Sequence, residues 1–240
     1  MKLSSKILTI LLLLVVVAMV FSNFTLKKEF DKMDKTDLYW DFEKISEQQF
    51  RHVKIENGNI TNVVFETNPK YSVRIFKGWK YFGRDTIKTY ILSDTLFIIF
   101  PKIEEMEFHL REWMKYMVLI RVFAPDLISL EAHNSNFNLF KLNQSRLAIK
   151  LSGKSETEVE TYSPFFKKLD ISESDSSSVF FEISPDIKGS GTIYIDSVNA
   201  TLKDLSWLGL GHAQIKSFNE SIEDSSAVEI SGKTLKTIKK

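Results

Sequence analysis

The sequence predicts an all-β domain of parallel β-solenoid-like repeats with a mixed β N-terminal part, preceded by one N-terminal transmembrane helix. Three observations predict it: an apolar N-terminal run, an apolar period near two from Phe50 onward, and small polar turns that recur past Asp126 at intervals of about 20 residues.

The run from Ile7 to Ser22 is apolar apart from Thr9 and the terminal serine, and it follows Met1, Lys2 and Lys6. Extended to Leu26 it supplies about 20 residues, enough to cross a hydrocarbon core as a helix. Ile7, Leu11, Val15, Met19 and Leu26 are the residues expected to meet lipid. A cleaved signal peptide is the alternative, although Val20-Phe21-Ser22 is a poor match to a small-residue cleavage site. The basic start favours an exported C-terminal part, whereas Lys27, Lys28, Lys32 and Lys35 beyond the segment argue for the opposite orientation. Residues 1–26 are thus read as anchor or signal. Residues 27–48 are read as a charged stalk carrying a short apolar stretch, Leu38-Tyr39-Trp40 with Phe42.

Residues 49–125 read as an N-terminal β region. Val63–Phe65, Tyr71–Ile75, Tyr90–Leu92 and Leu96–Phe100 are β-branched or aromatic runs, separated by turn-forming Asn57-Gly58, Asn68-Pro69, Lys77-Gly78 and Ser93-Asp94. Met117 to Phe123 is a further strand. Between them, Ile103, Met106, Leu110, Trp113, Met114 and Met117 approximate helical spacing, so residues 101–116 read either as a short amphipathic helix or as a charged β excursion.

Residues 126–240 carry the repeat, in one continuous domain with 49–125. Serines flanked by apolar residues recur as Ser135, Ser155, Ser178, Ser206 and Ser226, at separations of 20, 23, 28 and 20 residues. The long gap contains Ser184 to Gly191, which reads as a loop insertion. A coil of this length has too little apolar surface to stand alone and must bury it on its neighbours, which is the logic of a solenoid. Ser, Asn, Asp and Gly suit its corners because they tolerate tight turns and bond their own backbone. An antiparallel sandwich with evenly spaced strands is the competing fold.

Tyr71-Ser-Val-Arg-Ile75, the strand leading into Ala124-Pro125-Asp126-Leu127, Ile149-Lys-Leu-Ser-Gly153 and the tail Val228-Glu-Ile-Ser-Gly-Lys-Thr-Leu235 resemble the GIN-domain proteins of Bacteroidetes, a class described as adhesin heads. The resemblance covers roughly residues 50–238. It implies a β-solenoid-like domain outside the cytoplasmic membrane and brings no catalytic residue with it.

Composition narrows the chemistry. Lys and Arg total 32 against 31 for Asp and Glu, and no basic stripe appears, which removes the footprint of a nucleic-acid binder. The absence of cysteine excludes disulfides, thiolate zinc sites and thiol catalysis. His52, His109, His133 and His212 lack metal-ligand spacing, and no phosphate-binding glycine loop or nucleophile elbow occurs. His133 with Ser135 has no third partner, and His212 reads as a turn residue or exposed tip. The sharpest enzymatic reading stacks Asp204 on Asp224 one strand spacing apart, about 4.8 Å. So placed, two carboxylates could hold a cation or share a proton as in a polysaccharide-cleaving β-helix, whereas the usual role of Asp at a corner is an Asx-turn. Trp207, Tyr162, Phe165, Phe166 and Tyr194 could stack on sugars or proteins if exposed, but aromatic area is also the main filling of a core.

The expectation is therefore a non-enzymatic, membrane-anchored envelope protein with no catalytic, cofactor or metal residues. Its partners are the membrane through the N-terminal helix and a glycan or an envelope protein, not nucleic acid. A β-helix enzyme using Asp204 and Asp224, and a structural or signalling partner of membrane proteins acting through residues 101–116, are the alternatives.

Overall fold

The computed structural model describes residues 3–79, 87–102, 114, 117–142, 144–161, 165–183, 193–223, 225–236 and 238. By contacts the chain divides into Met1–Phe42 and Glu43–Lys240. The first unit is dominated by α1 (Leu3–Asp31), a helix of 29 residues. Within Lys6–Asp31 an 18-residue stretch has a mean hydropathy of 2.7 and none of that stretch is buried, so the helix is long and apolar enough to cross a membrane. Ile7, Leu11, Val15, Met19 and Leu26 are all exposed on it. The helix continues into the charged residues 27–31, where Lys32 pairs with Glu29 at 2.6 Å. Leu38 and Trp40 are exposed.

Strands then follow in chain order. The first seven are β1 (Phe42–Ser46), β2 (His52–Glu56), β3 (Asn62–Thr67), β4 (Ser72–Phe76), β5 (Lys88–Leu92), β6 (Thr95–Ile99) and β7 (Val118–Ala124). The repeat region supplies β8 (Ser129–His133), β9 (Asn136–Leu142), β10 (Arg146–Ser152), β11 (Glu156–Thr161) and β12 (Phe165–Glu173). It continues with β13 (Ser178–Ile183), β14 (Tyr194–Leu202), β15 (Trp207–Gly211), β16 (Gln214–Ile222) and β17 (Ala227–Ile230), then the short α2 (Gly232–Leu235).

These strands form two mixed sheets, neither closed. One has nine strands in the order β1-β4-β7-β3-β9-β11-β13-β15-β17, the other eight in the order β16-β14-β12-β10-β8-β2-β6-β5. From β8 onward successive strands alternate between the sheets, and each pairs in parallel with the strand two places along. The facing-sheet antiparallel sandwich is excluded for this region. Antiparallel pairing joins β4 to β7 and β5 to β6, at the N-terminal end. Parallel stacking already begins at β2 and β3, which pair with β8 and β9. The excursion between them separates register partners by 77 residues, as in the bond from the Gly58 amide to Ser135 Oγ.

The parallel register sorts the core into columns of like residues, as period-two strands with a buried inner face require. Val63, Phe137, Thr157, Val179, Leu208 and Val228 align across the nine-stranded sheet. Ile55, Ala132, Leu151, Glu173, Leu202 and Ile222 align across the eight-stranded one. Each fully buried Leu, Ile or Phe contributes about 1.5–3 kcal/mol. The core is continuous from Phe50 to Ile215.

The corners after β2, β8, β10, β12 and β14 of the eight-stranded sheet carry the expected small polar residues. Asn57, Asn134, Gly153, Asp175 and Asp204 all have positive φ, between 48° and 65°. Such φ values suit only glycine and short polar residues. Ser135, Ser155 and Ser206 are buried, and two bonds link corner serines between rungs: the Ser135 amide donates to Ser155 Oγ at 3.1 Å, and Ser206 Oγ donates to Ser226 Oγ at 3.4 Å. The third corner serine is Ser177 rather than Ser178. Ser178 aligns with Glu156, one position past Ser155, as the first residue of β13. Adjacent Ser176, Ser177 and Ser178 hide that offset in the sequence.

The residues 101–116 expected as a helix or β excursion lie mostly outside the described residues; Met114 is buried in the core. The expected loop Ser184 to Gly191 also lies outside them. At the C-terminal end of the stack, α2 tucks Thr234 inward, its hydroxyl donating to the Ala213 carbonyl at 2.5 Å. On the last strand of the eight-stranded sheet, Glu220 takes the register position held by buried Ala200 on the previous rung. A charge at an inward position of an edge strand discourages another strand from adding. Glu220→Leu should therefore make the full chain in detergent self-associate with increasing concentration. A size-exclusion profile identical to the wild type would remove this role from Glu220.

Candidate binding face

The outer surface of the eight-stranded sheet is the most organised polar surface among the described residues. Alternation sends Phe165, Lys168, Asp170 and Ser172 of β12 to one side while Phe166, Leu169, Ile171 and Glu173 point into the core. The neighbouring strands repeat this in register, so outward side chains form rows across the sheet. In one row Ala148, Asp170, Asn199 and Asn219 align. Asn219 Nδ2 donates to Asn199 Oδ1 at 3.0 Å, and Asn199 Nδ2 donates to Asp170 Oδ1 at 2.7 Å. Lys168 closes on Asp170 at 2.8 Å. Partial burial pushes the Asp170 carboxyl up, but the bonds from Lys168 and Asn199 outweigh it and hold the pKa below the ordinary value. The next row carries Lys54, Glu131 and Lys150, with both lysines 3.5 Å from Glu131, followed by Ser172 and Thr201. Ala148, a single methyl among longer side chains, leaves a hollow of about 420 Å³ lined by Ser129, Lys150, Asp170, Ser172, Asn199 and Thr201.

A second hollow lies along the same face. Phe165 and Tyr194 are register partners on adjacent strands, 38% and 46% exposed, and Tyr194 in turn aligns with Gln214. With Asp196 and Lys216 they line about 340 Å³. Both rings are on the list expected from sequence. Of the others, Phe166 is buried edge-on to Phe181 at 6.3 Å. Trp207 is half-exposed on the other sheet, edge-on to Phe180 at 5.4 Å. Tyr162 lies outside the described residues.

Among the described residues, those considered for chemistry do not converge. Asp204 is exposed in a left-handed turn, φ 53°, and its carbonyl accepts from the Ser176 amide at 2.8 Å. Asp224, the other half of the expected stacked pair, lies outside the described residues, as does His109. Ser135 is buried and donates to the backbone carbonyl of His133 at 2.9 Å, while the His133 ring meets Ser152 at 3.0 Å. The pair, which lacked a third partner in the sequence, is a corner fastening. His52 contacts Ser129 at 2.7 Å across the rung, and His212 is an exposed turn residue, as expected. Among the described residues no three His, Asp or Glu gather as metal ligands.

Sequence inspection did not single out Glu173. It is 1% exposed, and neither carboxylate oxygen has a hydrogen-bond partner among the described residues. Burial pushes its pKa up to about 9. The alternation Leu169-x-Ile171-x-Glu173 was the available signal, since it places the carboxyl inward.

No family model matches the chain, and neither does any curated protein sequence. Solved structures do. A "putative adhesin" from Bacteroides fragilis aligns with a TM-score of 0.52 at 14% identity, over 79% of this chain and 94% of that one. A "putative lipid binding protein" from Parabacteroides distasonis aligns at 0.42 with 12% identity, over 80% and 94%. A "putative adhesin" from Parabacteroides distasonis aligns at 0.39 with 14% identity, over the same shares. The chain thus shares the fold of the Bacteroides fragilis protein, which comes from the bacterial group whose GIN-domain proteins its strand and corner motifs resemble.

Proposed function

We propose that the chain is a non-enzymatic, single-pass membrane protein of the cell envelope. Its β domain is a solenoid held outside the cytoplasm, which presents the outer face of the eight-stranded sheet for binding or adhesion. The observation that carries this reading is the in-register polar ladder Asp170–Asn199–Asn219 beside exposed Phe165 and Tyr194. Parallel pairing repeats each outward position at strand spacing, about 4.8 Å, and produces a rigid array suited to an extended ligand. The solenoid reading is supported by strands that alternate between sheets with parallel register from rung to rung. Anchoring is supported by the unburied apolar stretch Lys6–Asp31, for which lipid is the natural solvent. The adhesin name of the Bacteroides fragilis protein supports a binding role.

The test uses intact cells displaying the full chain, and measures attachment to surfaces coated with polysaccharide or with extracted envelope protein. The double variant Ser172→Arg/Asn199→Arg fills the hollow with two cations and should reduce attachment to background at unchanged display level. Attachment equal to the wild type would move binding off this face.

A further inference from the structure

We infer that the Phe165–Tyr194 hollow and the Asp170–Asn199–Asn219 ladder form one site for a neutral glycan chain. This rests on the binding-face reading above and names its ligand class.

A pyranose ring has an apolar C–H face and a hydroxyl-bearing edge, and each half finds a counterpart here. Phe165 and Tyr194, register partners on adjacent parallel strands, offer exposed aromatic surface at one end of the sheet face. Their neighbours Asp196, Gln214 and Lys216 bring an acceptor, an amide and a donor to the same hollow. Further along the strands, the ladder presents Asn199 and Asn219, whose amides have donor and acceptor capacity beyond the bonds they make to Asp170 and to each other. Ser129, Ser172 and Thr201 add hydroxyls to the adjoining hollow.

Charge and composition select among ligands. Most charges of this face are paired: Lys168 with Asp170, Lys150 with Glu131, and Lys54 with Glu131 and Glu56, leaving Arg146 beside Lys168. Asp196 and Lys216 at the aromatic end are of opposite sign. A surface so balanced lacks the one-signed field that attracts a polyanion. A protein partner would need a desolvated apolar centre, usually with large aromatic or aliphatic anchors. The Ala148–Asn219 row and the stretch from Lys54 to Thr201 have no large apolar side chain to supply one; the aromatics that continue the Lys54 row, Phe97 and Tyr90, stack on each other at 4.9 Å at the far edge of the sheet. What remains is a ligand with many neutral hydroxyls and one flat apolar face. Parallel ladders fix the backbone under every one of these side chains, so little ordering is required on binding.

The experiment titrates the full chain in lipid nanodiscs with cellohexaose, mannohexaose, maltohexaose and, as the anionic control, hexagalacturonate, followed by calorimetry. At least one neutral hexasaccharide should saturate the site, and hexagalacturonate should bind more weakly than it. Tyr194→Ala should weaken that binding about tenfold, the loss of one aromatic stacking contact. Tyr194→Phe, which keeps the ring, should stay close to wild type, and Trp207→Ala, on the other sheet, should leave the affinity unchanged. The inference is overturned if no neutral hexasaccharide saturates in the millimolar range, if hexagalacturonate binds tightest, or if Tyr194→Ala binds like the wild type. Loss of cell attachment in Ser172→Arg/Asn199→Arg without any hexasaccharide binding would retain the face and discard the glycan. Retained attachment in that variant would discard both.

Discussion

Replacing Glu173 by Gln should raise the stability of the chain at pH 7 by about 3 kcal/mol, while leaving it almost unchanged near pH 4. The reasoning follows from where the carboxyl sits. In its column Leu151 lies on one side and Leu202 on the other, and the group is 1% exposed with no hydrogen-bond partner among the described residues. An ionised carboxylate is costly there, so burial holds the folded-state pKa at about 9, well above the ordinary 4.5. Below 4.5 both folded and unfolded chains carry the proton and the group imposes no pH dependence. Between 4.5 and about 9 the folded chain keeps a proton that the unfolded chain has lost. Stability therefore falls with rising pH by up to roughly 1.4 kcal/mol per unit. Gln keeps the shape and cannot ionise, so the difference between variant and wild type isolates this group from every other titration. Urea unfolding of both chains at pH 5, 7 and 9 should show midpoints that diverge as pH rises. Parallel midpoints across that range would mean that the Glu173 carboxyl titrates as it does in the unfolded chain. Glu173→Leu should stabilise at least as much at pH 7, because it also continues the aliphatic column.

The distinction between Glu173 and its neighbours shows where the sequence was legible. Alternation located the strands well: Val63–Phe65 lies within β3, Tyr71–Ile75 overlaps β4, and Tyr90–Leu92 lies within β5. Each is a short apolar run bounded by turn residues, so local chemistry suffices to place it. Repeat spacing likewise exposed the parallel stacking past Asp126, because those rungs are close in sequence, as in the 20-residue step from Ser135 to Ser155. It was silent about β2 and β3, since the excursion sets Val53 of β2 apart from its partner Leu130 by 77 residues and Val63 of β3 from its partner Phe137 by 74 residues, and no window of coil length spans that distance. The serine pattern failed by one residue at Ser177, where three serines in a row leave spacing alone unable to pick the corner. Exposure was equally hard to read for the aromatics. Phe165 and Phe166 are adjacent and chemically identical, yet one lines the outer hollow and the other fills the core. Only strand register decides which. The binding face was illegible for the same reason: Asp170, Asn199 and Asn219 are separated by 29 and 20 residues and become a ladder only when the rungs are stacked.

The corners tie sequence and fold together most tightly, and Gly153→Ala should cost about 2–3 kcal/mol. Gly153 has φ +65°, as do Asn57, Asn134, Asp175 and Asp204 within about 20°. Those four carry short polar side chains, yet at position 153 even a methyl has no room. A Cβ there would lie 2.3 Å from Asn134 Oδ1 and 2.9 Å from its Cγ. That Oδ1 accepts the Lys154 amide at 3.0 Å, a bond linking one rung to the next. The substitution therefore combines the left-handed backbone penalty with displacement of the Asn134 side chain, and it loses the inter-rung bond, about 1 kcal/mol. A double-mutant cycle separates the two parts, because Asn134→Gly removes the obstructing side chain and the bond together. In that background Gly153→Ala should cost only the backbone penalty, roughly 1 kcal/mol. Equal costs in both backgrounds, read from urea midpoints, would show that Asn134 gives way freely and that φ alone reserves the corner for glycine.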